Sequence, residues 1–152
     1  MQVIVAAIGR DRAGPTRDLF EEYCRRSPWP IRLVEIAPRS SQPAERRLRE
    51  EADRLLQAVP PGALLVALDE SGSDLDSAGL ARRIADWQEQ GQGTLVFVIG
   101  GPDGLDRSLL ERAETTIAFG RLTWPHHLVR VMLAEQIYRA STILSGHPYH
   151  RA

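Results

Sequence analysis

The chain has 152 residues, 43% of them hydrophobic, which is enough apolar sequence for one globular domain spanning residues 1–152. The formal net charge of −1 excludes a protein that attracts nucleic acid by an overall positive charge, so RNA binding requires a local basic patch. All 19 basic residues are arginine, which excludes enzymes that depend on a Schiff-base lysine or a P-loop lysine.

Cysteine content and the first residues predict where the protein works. Cys24 is the single cysteine, so no intrachain disulfide can form, as is typical of proteins in a reducing cytoplasm. The apolar run that follows Met1 is too short to span a membrane and lacks the basic residues of a signal peptide. We therefore expect a cytoplasmic protein without membrane contact.

Five short apolar runs bounded by glycine or proline are predicted to be strands. Continuous apolar runs of this kind are typical of strands that are buried on both faces of a parallel sheet. In chain order the predicted strands are residues 3–8, 31–36, 63–68, 94–99 and 115–119.

The segments between these strands have helical patterns. Pro43 is predicted in a first helical turn and Ser77 as an N-cap. The alternation of strands and helices favours a layered α/β domain. The predicted helices are residues 16–26, 43–58, 77–90, 105–112 and 125–145.

The last predicted helix is apolar on two sides, and such a helix must be covered on two sides. One side should pack on the sheet, and the other should be covered either by a second subunit or by the rest of the same chain. One side carries Leu128, Met132, Glu135 and Arg139, and the other carries Val129, Leu133 and Ile137.

Two glycine-containing stretches follow predicted strands. Residues 99–104 (IGGPDG) come after the fourth strand, at the edge of the sheet where α/β proteins bind ligands. Residues 119–126 (FGRLTWPH) come after the fifth strand and enter the last helix, whose free amides favour polar ligands. The alternative for each is an ordinary turn. Neither matches the GxGxxG pattern of dinucleotide-binding proteins.

Charged and aromatic groups are concentrated at the end of the chain. Glu135 and Arg139 form an i,i+4 pair among apolar neighbours, either as a structural ion pair or to orient a substrate or bridge subunits. The tail, residues 146–152, contains groups that stack on bases and bind phosphate, although chain ends are often frayed. His147 and His150 lack a nearby cysteine or carboxylate, so we predict no metal site.

Three motifs together with the length of the chain resemble one family. They are IGGPDG at 99–104, the pattern TxPHxLVRVxLAEQxYRA at 123–140, and HPYHR at 147–151. In order and spacing they are similar to the bacterial SPOUT-class ribosomal RNA large subunit methyltransferase H family, whose members methylate N3 of a pseudouridine in 23S rRNA. The resemblance extends from the first strand to Arg151.

The resemblance implies an α/β knot, in which a mostly parallel sheet of five to six strands has helices on both faces and a C-terminal trefoil knot. Such threading is an exception to the usual rules of chain connection. It also implies an S-adenosylmethionine cofactor, a homodimer with the tail near the active site, and 23S rRNA within the 70S ribosome as the partner.

The family's functional positions can be transferred to this chain. The implied cofactor-binding residues are Leu68, Gly100, Gly101, Gly120, Arg121, Leu122, Thr123, Trp124 and Pro125. The candidate catalytic residues are Glu135, Arg139, Tyr149, His150 and Arg151. Among these, His150 is a candidate base, and the arginines are candidates for stabilising negative charge or holding phosphate.

The chain departs from the family at a few positions. Family members often carry lysines in the stretches that correspond to residues 37–42 and 69–73, and the second stretch here is acidic, which weakens the case for RNA contact by a loop there. His127 stands where proline is common. Two other functions are alternatives to rRNA methylation. One is that of a knotted methyltransferase that acts on tRNA, and the other is that of a non-catalytic RNA- or nucleotide-binding module.

Overall fold

The computed structural model describes residues 1–38 and 43–151, so part of the lysine-free stretch 37–42 lies outside the described residues. Within them the chain forms a five-stranded, all-parallel sheet in the order β2-β1-β4-β3-β5, which confirms the predicted α/β class. The elements are β1 (Gln2–Ile8), α1 (Pro15–Arg26), β2 (Ile31–Ile36), α2 (Ala44–Gln57), β3 (Leu64–Asp74), α3 (Ser77–Glu89), β4 (Thr94–Ile99), α4 (Arg107–Arg112), β5 (Thr115–Ala118) and α5 (His126–Ser145).

Helices cover both faces of the sheet, as predicted. Residues 3–8 of β1 are all buried, and successive side chains point to opposite faces. Val3 and Val5 join a core with α3 and α5, whereas Ile4 and Ala6 join a core with α2 and α4. The continuous apolar runs of the strands are therefore explained by burial on both sides.

Strand β3 is longer than its apolar pattern predicts. The predicted strand ended at Leu68, but β3 continues to Asp74 and pairs with β5 again after an irregularity, so that Ser73 lies opposite Ile117. A Cβ on Gly72 would lie 2.6 Å from the backbone carbon of Ile117, so only glycine allows this approach. The expectation of a plain acidic loop at 69–73 is wrong, because backbone pairing continues where the side chains become exposed.

Helix starts also differ in detail from the predictions. Asp76, and not Ser77, caps α3: its carboxylate accepts a hydrogen bond from the Gly79 amide at 2.6 Å. Ser77 is the first helical residue, and its hydroxyl donates to Gln136 at 2.7 Å. Pro43 stands at the N-cap of α2 and not in its first turn, and α4 begins after the capping residue Asp106.

Helix α5 is enclosed on two sides by its own chain and partly open on a third. Leu133 and Ile137 are buried against the sheet, and Val131 packs against Phe20 of α1. Leu128 remains 39% exposed, so the face that was predicted to need cover is only partly covered. The threading of α5 into a knot stays a prediction. No helix of the described residues has the length and apolar character needed to cross a membrane.

Candidate active site

A pocket of about 720 Å³ opens at the carboxyl edge of the sheet. Its walls are the segments that follow β3, β4 and β5, together with His126 and Val129 at the start of α5. This location is where parallel α/β sheets bind ligands, and the volume lies in the range of about 300–1,000 Å³ that small-molecule sites have.

The backbone conformation in the pocket wall requires glycine at positions 100 and 104. A Cβ on Gly100 would collide with the backbone oxygen of Gly104. Gly104 has φ +79° and donates its N–H to the Gly101 oxygen at 3.0 Å, which closes the 100–104 turn. At Gly100, Gly101 and Gly104 the backbone carries no side chain, so that a ligand can approach the chain closely there.

The predicted cofactor residues converge on this pocket with one exception. The side chain of Arg121 is exposed and is not among the lining residues. The indole N–H of Trp124 donates to the Phe119 oxygen at 2.9 Å, which fastens the loop between β5 and α5. The predicted residues that line the pocket are Leu68, Gly100, Gly101, Gly120, Leu122, Thr123, Trp124 and Pro125.

Charge is unevenly distributed around the pocket wall. Asp69 and Glu70 contribute carboxylates on the β3 side. On the α5 side, burial lowers the pKa of His126, and the nearby His127 and Arg130 lower it further, so the imidazole is neutral at pH 7. This wall suits a ligand with positive charge, because carboxylates attract it and a neutral imidazole does not repel it.

Below the start of α5 lies a partly buried group of polar side chains that we call the Arg130 cluster: Asp11, Glu35, His127 and Arg130. The Arg130 guanidinium donates to Glu35 at 3.0 Å and to the oxygens of Ile8 and Gly9 at 3.0 and 2.8 Å. Glu35 also accepts the Asp11 amide at 2.6 Å, and His127 lies 3.4 Å from the Asp11 carboxylate. The cluster thus ties α5 to the carboxyl ends of β1 and β2.

Two pKa values in the cluster are shifted. Burial alone would raise the pKa of the Glu35 carboxyl, but hydrogen bonds from the Asp11 amide and the Arg130 guanidinium outweigh it and the pKa is lowered. Burial lowers the pKa of Arg130, although Glu35 opposes this shift. Among the described residues, the Arg130 Nε atom has no hydrogen-bond partner. Neither Glu35 nor Arg130 was a candidate from the sequence, although each is a charge within an apolar run, which was a usable signal.

At the far end of α5, four of the five predicted catalytic residues form a second group, the tail cluster: Glu135, Arg139, Tyr149 and His150. Arg139 donates to Glu135 at 2.5 and 3.0 Å, and the Tyr149 hydroxyl donates to the same carboxylate oxygen at 3.0 Å. The Arg139 guanidinium also lies 4.8 Å from the centre of the Tyr149 ring. The tail is therefore packed on α5 instead of frayed.

Hydrogen bonding in the tail cluster constrains its protons. Arg139 lies 3.2 Å from Nδ1 of His150, and because a guanidinium only donates, Nδ1 accepts and the neutral ring carries its proton on Nε2. Burial raises the pKa of Tyr149, and contacts with Tyr23 and Glu135 raise it further, so the phenol keeps its proton. The fifth predicted residue, Arg151, is exposed and has no ion-pair partner among the described residues.

The tail cluster and the pocket of the same chain share no lining residue. Because an α-helix rises about 1.5 Å per residue, Glu135 and Arg139 lie about 9 and 15 Å along α5 from Val129 at the pocket wall. Neither Tyr149 nor His150 lines the pocket. The structure therefore does not bring the two predicted sets of residues together within one chain.

A second groove of about 560 Å³ lies on the other side of β5 and shares residues 117–120 with the pocket. Its lining includes Leu19, Tyr23 and Met132, and it reaches Glu135 of the tail cluster. Leu19 is 45% exposed. Leu122, which follows the shared residues in sequence, is 73% exposed. In residues 1–38 and 43–151, no three His, Cys, Asp or Glu side chains are grouped so that they could hold a metal ion.

Comparison with known proteins agrees with this architecture. A family model described as "Predicted SPOUT methyltransferase" matches residues 1–150. A protein named ribosomal RNA large subunit methyltransferase H from Rhodospirillum centenum is 57% identical over 152 residues, and the match covers 100% of both chains. A protein of the same name from Rhodopseudomonas palustris is 48% identical, and the match covers 100% of both chains. One from Paramagnetospirillum magneticum is 47% identical, and the match covers 99% of both chains.

Two solved structures are similar in fold. A probable methylase family protein from Haemophilus influenzae has a TM-score of 0.64 at 10% identity, with 99% of this chain and 70% of that chain covered. A probable methyltransferase from Bordetella pertussis has a TM-score of 0.61 at 17% identity, with 91% and 95% covered. At these identities the likeness concerns the fold alone.

Proposed function

Because this chain belongs to the SPOUT methyltransferase family, we propose that it is an S-adenosylmethionine-dependent enzyme that methylates N3 of a pseudouridine in 23S rRNA. The observation that carries the proposal is the pocket at the carboxyl edge of the sheet, which is lined by the two glycine-containing segments that match the family. The full-length relatives are named for ribosomal RNA, which favours that substrate over tRNA.

The pocket fits the cofactor in charge and in shape. S-adenosylmethionine, when bound, supplies a methyl group on a positively charged sulfonium. Asp69 and Glu70 would hold its positive groups, and Gly100 and Gly101 would accept a flat or extended portion against the backbone. Leu68, Leu122 and Pro125 would cover its apolar parts and exclude water from the reacting centre.

The tail cluster has the chemistry that the nucleotide requires. An imide N3 must lose its proton as the methyl group is transferred, and the negative charge then spreads to the neighbouring carbonyl oxygens. Arg139 and His150 Nε2–H offer donors that stabilise this charge, and the exposed Arg151 can hold a phosphate. His150 can act as the base only after its Nδ1 is released by Arg139, since its other nitrogen already carries the proton.

The spacing along α5 favours a tail that acts on the pocket of another chain. Reacting groups must approach within about 3–3.5 Å, whereas Glu135 and Arg139 lie about 9 and 15 Å along α5 from Val129 at the pocket wall. A homodimer resolves this if the tail of one subunit completes the pocket of its partner. The apolar groove beside β5 and the half-covered side of α5 with Leu128 supply a surface for the second subunit.

Mixing two inactive variants tests this arrangement. Gly100→Ala should destroy the pocket turn, and Arg139→Met should disable the tail, so that neither homodimer is active. Mixed dimers contain one intact pocket that faces one intact tail, so random exchange should restore roughly a quarter of the wild-type rate. No recovery from a mixture shown to contain mixed dimers would exclude a site shared between subunits.

The substrate assignment is tested by mass spectrometry of 23S rRNA from a strain that lacks the gene. We expect one missing methyl group on a pseudouridine, and its return when the gene is restored. In vitro, cytoplasmic 70S ribosomes should be better substrates than free 23S rRNA, because a small protein of net charge −1 depends on shape as well as charge. Methylation of tRNA with unchanged 23S rRNA would overturn the assignment.

Arg151→Ala separates substrate handling from cofactor binding. Because Arg151 is exposed and does not line the pocket, the variant should reduce turnover far more than it reduces S-adenosylmethionine affinity. Calorimetry with the cofactor, combined with methyl transfer to ribosomes, measures both. Equal losses in the two assays would contradict a role for Arg151 in handling RNA.

A further inference from the structure

Most arginines on the helices of this protein are neutralised by neighbouring carboxylates. On α1, Arg25 and Arg26 both pair with Glu22, and on α4 Arg107 pairs with Glu111. Such i,i+4 and i,i+3 pairs leave little net charge on those surfaces to attract a polyanion. Positive charge available for a partner must therefore come from arginines without a carboxylate.

Two such arginines lie close together in sequence at the carboxyl edge of the sheet, directly after β1. Arg10 and Arg12, in the segment between β1 and α1, are exposed and form no ion pair with any residue that the structure describes. Arg32 and Arg112 are also exposed and unpaired within residues 1–38 and 43–151, but they lie at the opposite edge, where β2 begins and α4 ends.

Arg10 and Arg12 flank a residue that is fixed in place. Asp11 is buried, its amide donates to Glu35 at 2.6 Å, and its carboxylate accepts the Thr16 hydroxyl at 2.9 and 3.1 Å. The Asp11 carboxylate faces Thr16 and His127 and forms no ion pair with either arginine. The anchored Asp11 backbone orders the segment that carries both arginines, which reduces the backbone entropy lost on binding.

This surface borders the candidate active site. A Cβ on Gly9 would lie 3.6 Å from Nε2 of His126, and His126 lines the pocket. The acidic residues Asp69 and Glu70 lie on the β3 side, away from His126 in the pocket wall. A polyanion that enters the site is therefore attracted at the β1 side and repelled at the β3 side, which fixes its direction of approach.

We propose that Arg10 and Arg12 form a phosphate-binding surface for the RNA backbone next to the nucleotide that enters the pocket. The proposal rests on the RNA methyltransferase function proposed above. RNA is the favoured occupant because arginine binds phosphate oxygens through paired N–H donors, and because these arginines are free of carboxylates in a protein whose overall charge is −1.

A pair of double variants tests the surface. Arg10→Gln with Arg12→Gln removes the proposed contacts, and Arg32→Gln with Arg112→Gln removes the same charge from the opposite edge. For the first variant we expect the KM for 70S ribosomes to rise about 10-fold or more at physiological salt, with kcat changed less than 2-fold. The slope of log affinity against log salt should fall by about 0.7–0.9 for each arginine that contacts a phosphate. The second variant should match the wild type in both measurements.

Each alternative result has a defined meaning. Equal losses of ribosome affinity in the two double variants would contradict the proposed phosphate-binding surface, because the effect would then follow the total charge and not its position. Loss of ribosome binding without any change in salt slope would also overturn it, since it would indicate a protein contact. If the wild type methylates no rRNA, the proposed function fails; if it methylates rRNA and the Arg10 and Arg12 variant does so equally well, the surface alone fails.

Discussion

Two arginines of α5 each pair with a glutamate, but the pairs are embedded differently. Arg130 has a side chain that is only 1% exposed, and it pairs with Glu35, which lies 95 residues earlier in the chain. Arg139 is 25% exposed and pairs with Glu135 one turn before it. The first pair joins separate elements of the fold, whereas the second joins neighbours on one helix.

This difference separates a structural role from a functional one. Arg130 satisfies two backbone oxygens at the end of β1 in addition to Glu35, so its removal leaves buried polar groups without partners. Arg139 contacts the side chains of Glu135, Tyr149 and His150, all of which water can reach at least in part. We therefore expect the Arg130 cluster to matter most for stability and the tail cluster to matter most for the proposed activity.

The largest expected effect follows from breaking the buried pair. Arg130→Met removes the buried guanidinium from Glu35 and from the oxygens of Ile8 and Gly9. Glu35 keeps its longer ion pair with Arg17 at 3.4 Å, and the free energy of unfolding should fall by about 3 kcal/mol. Urea denaturation at a fixed protein concentration measures this, because dimer stability depends on concentration. The matched control, Arg139→Met, should cost at most about 1–2 kcal/mol, as is expected for a half-exposed pair. Similar losses in the two variants would remove the distinction between the clusters.

The activity of the same two positions should show the opposite order. Arg139→Met should reduce methyl transfer to ribosomes by about 10²–10³-fold, the usual cost of losing a donor that stabilises developing charge. Its affinity for S-adenosylmethionine should stay within about 3-fold of wild type, because Arg139 lies outside the pocket. Turnover with ribosomes measures the first effect, and calorimetry with S-adenosylmethionine measures the second. A matched loss of cofactor affinity would place Arg139 in the cofactor site instead.

The pH dependence of stability offers a smaller effect. The pKa of Glu35 is lower in the folded protein than its ordinary value of 4.5, so its stabilising contribution is fully present above that pH. The contribution is lost as the pH falls through the lowered pKa, when the carboxyl becomes protonated. Glu35→Gln should therefore reduce the slope of unfolding free energy against pH below about pH 5. The reduction should not exceed the slope that the binding of one proton produces.

A control variant makes this measurement specific. Glu111→Gln breaks the exposed pair with Arg107 and should lower stability by less than about 1 kcal/mol. If Glu35→Gln keeps the full acid dependence of the wild type, the Arg130 cluster does not contribute to it.

The comparison of the clusters also explains what could be predicted from sequence. The pocket was predictable because its glycines follow apolar strands, and the ends of parallel strands meet at one edge. Glu135 and Arg139 were predictable because they are neighbours on one helix face. Each of these predictions depends only on local spacing.

The Arg130 cluster could not be predicted because its contacts are not local. Glu35 and Arg130 each interrupt an apolar run, which indicates that each needs a partner, but nothing in the spacing identifies which partner. The extension of β3 beyond Leu68 was missed for a related reason. Its pairing with β5 depends on the backbone and on Gly72, whereas the pattern of side chains had already become polar.

The smallest expected effect concerns Cys24, which reports on the contact between α1 and α5. Burial raises the pKa of its thiol to about 11, and the Glu21 carboxylate adds to the shift. At pH 8 only about one thousandth of the thiol is ionised, so labelling by a thiol reagent should be slow. Cys24 packs beside Val131 of α5, which neighbours Arg130, so Arg130→Met should speed labelling several-fold and Arg139→Met should not. Equal labelling rates in the two variants would show that the buried pair does not hold α1 and α5 together.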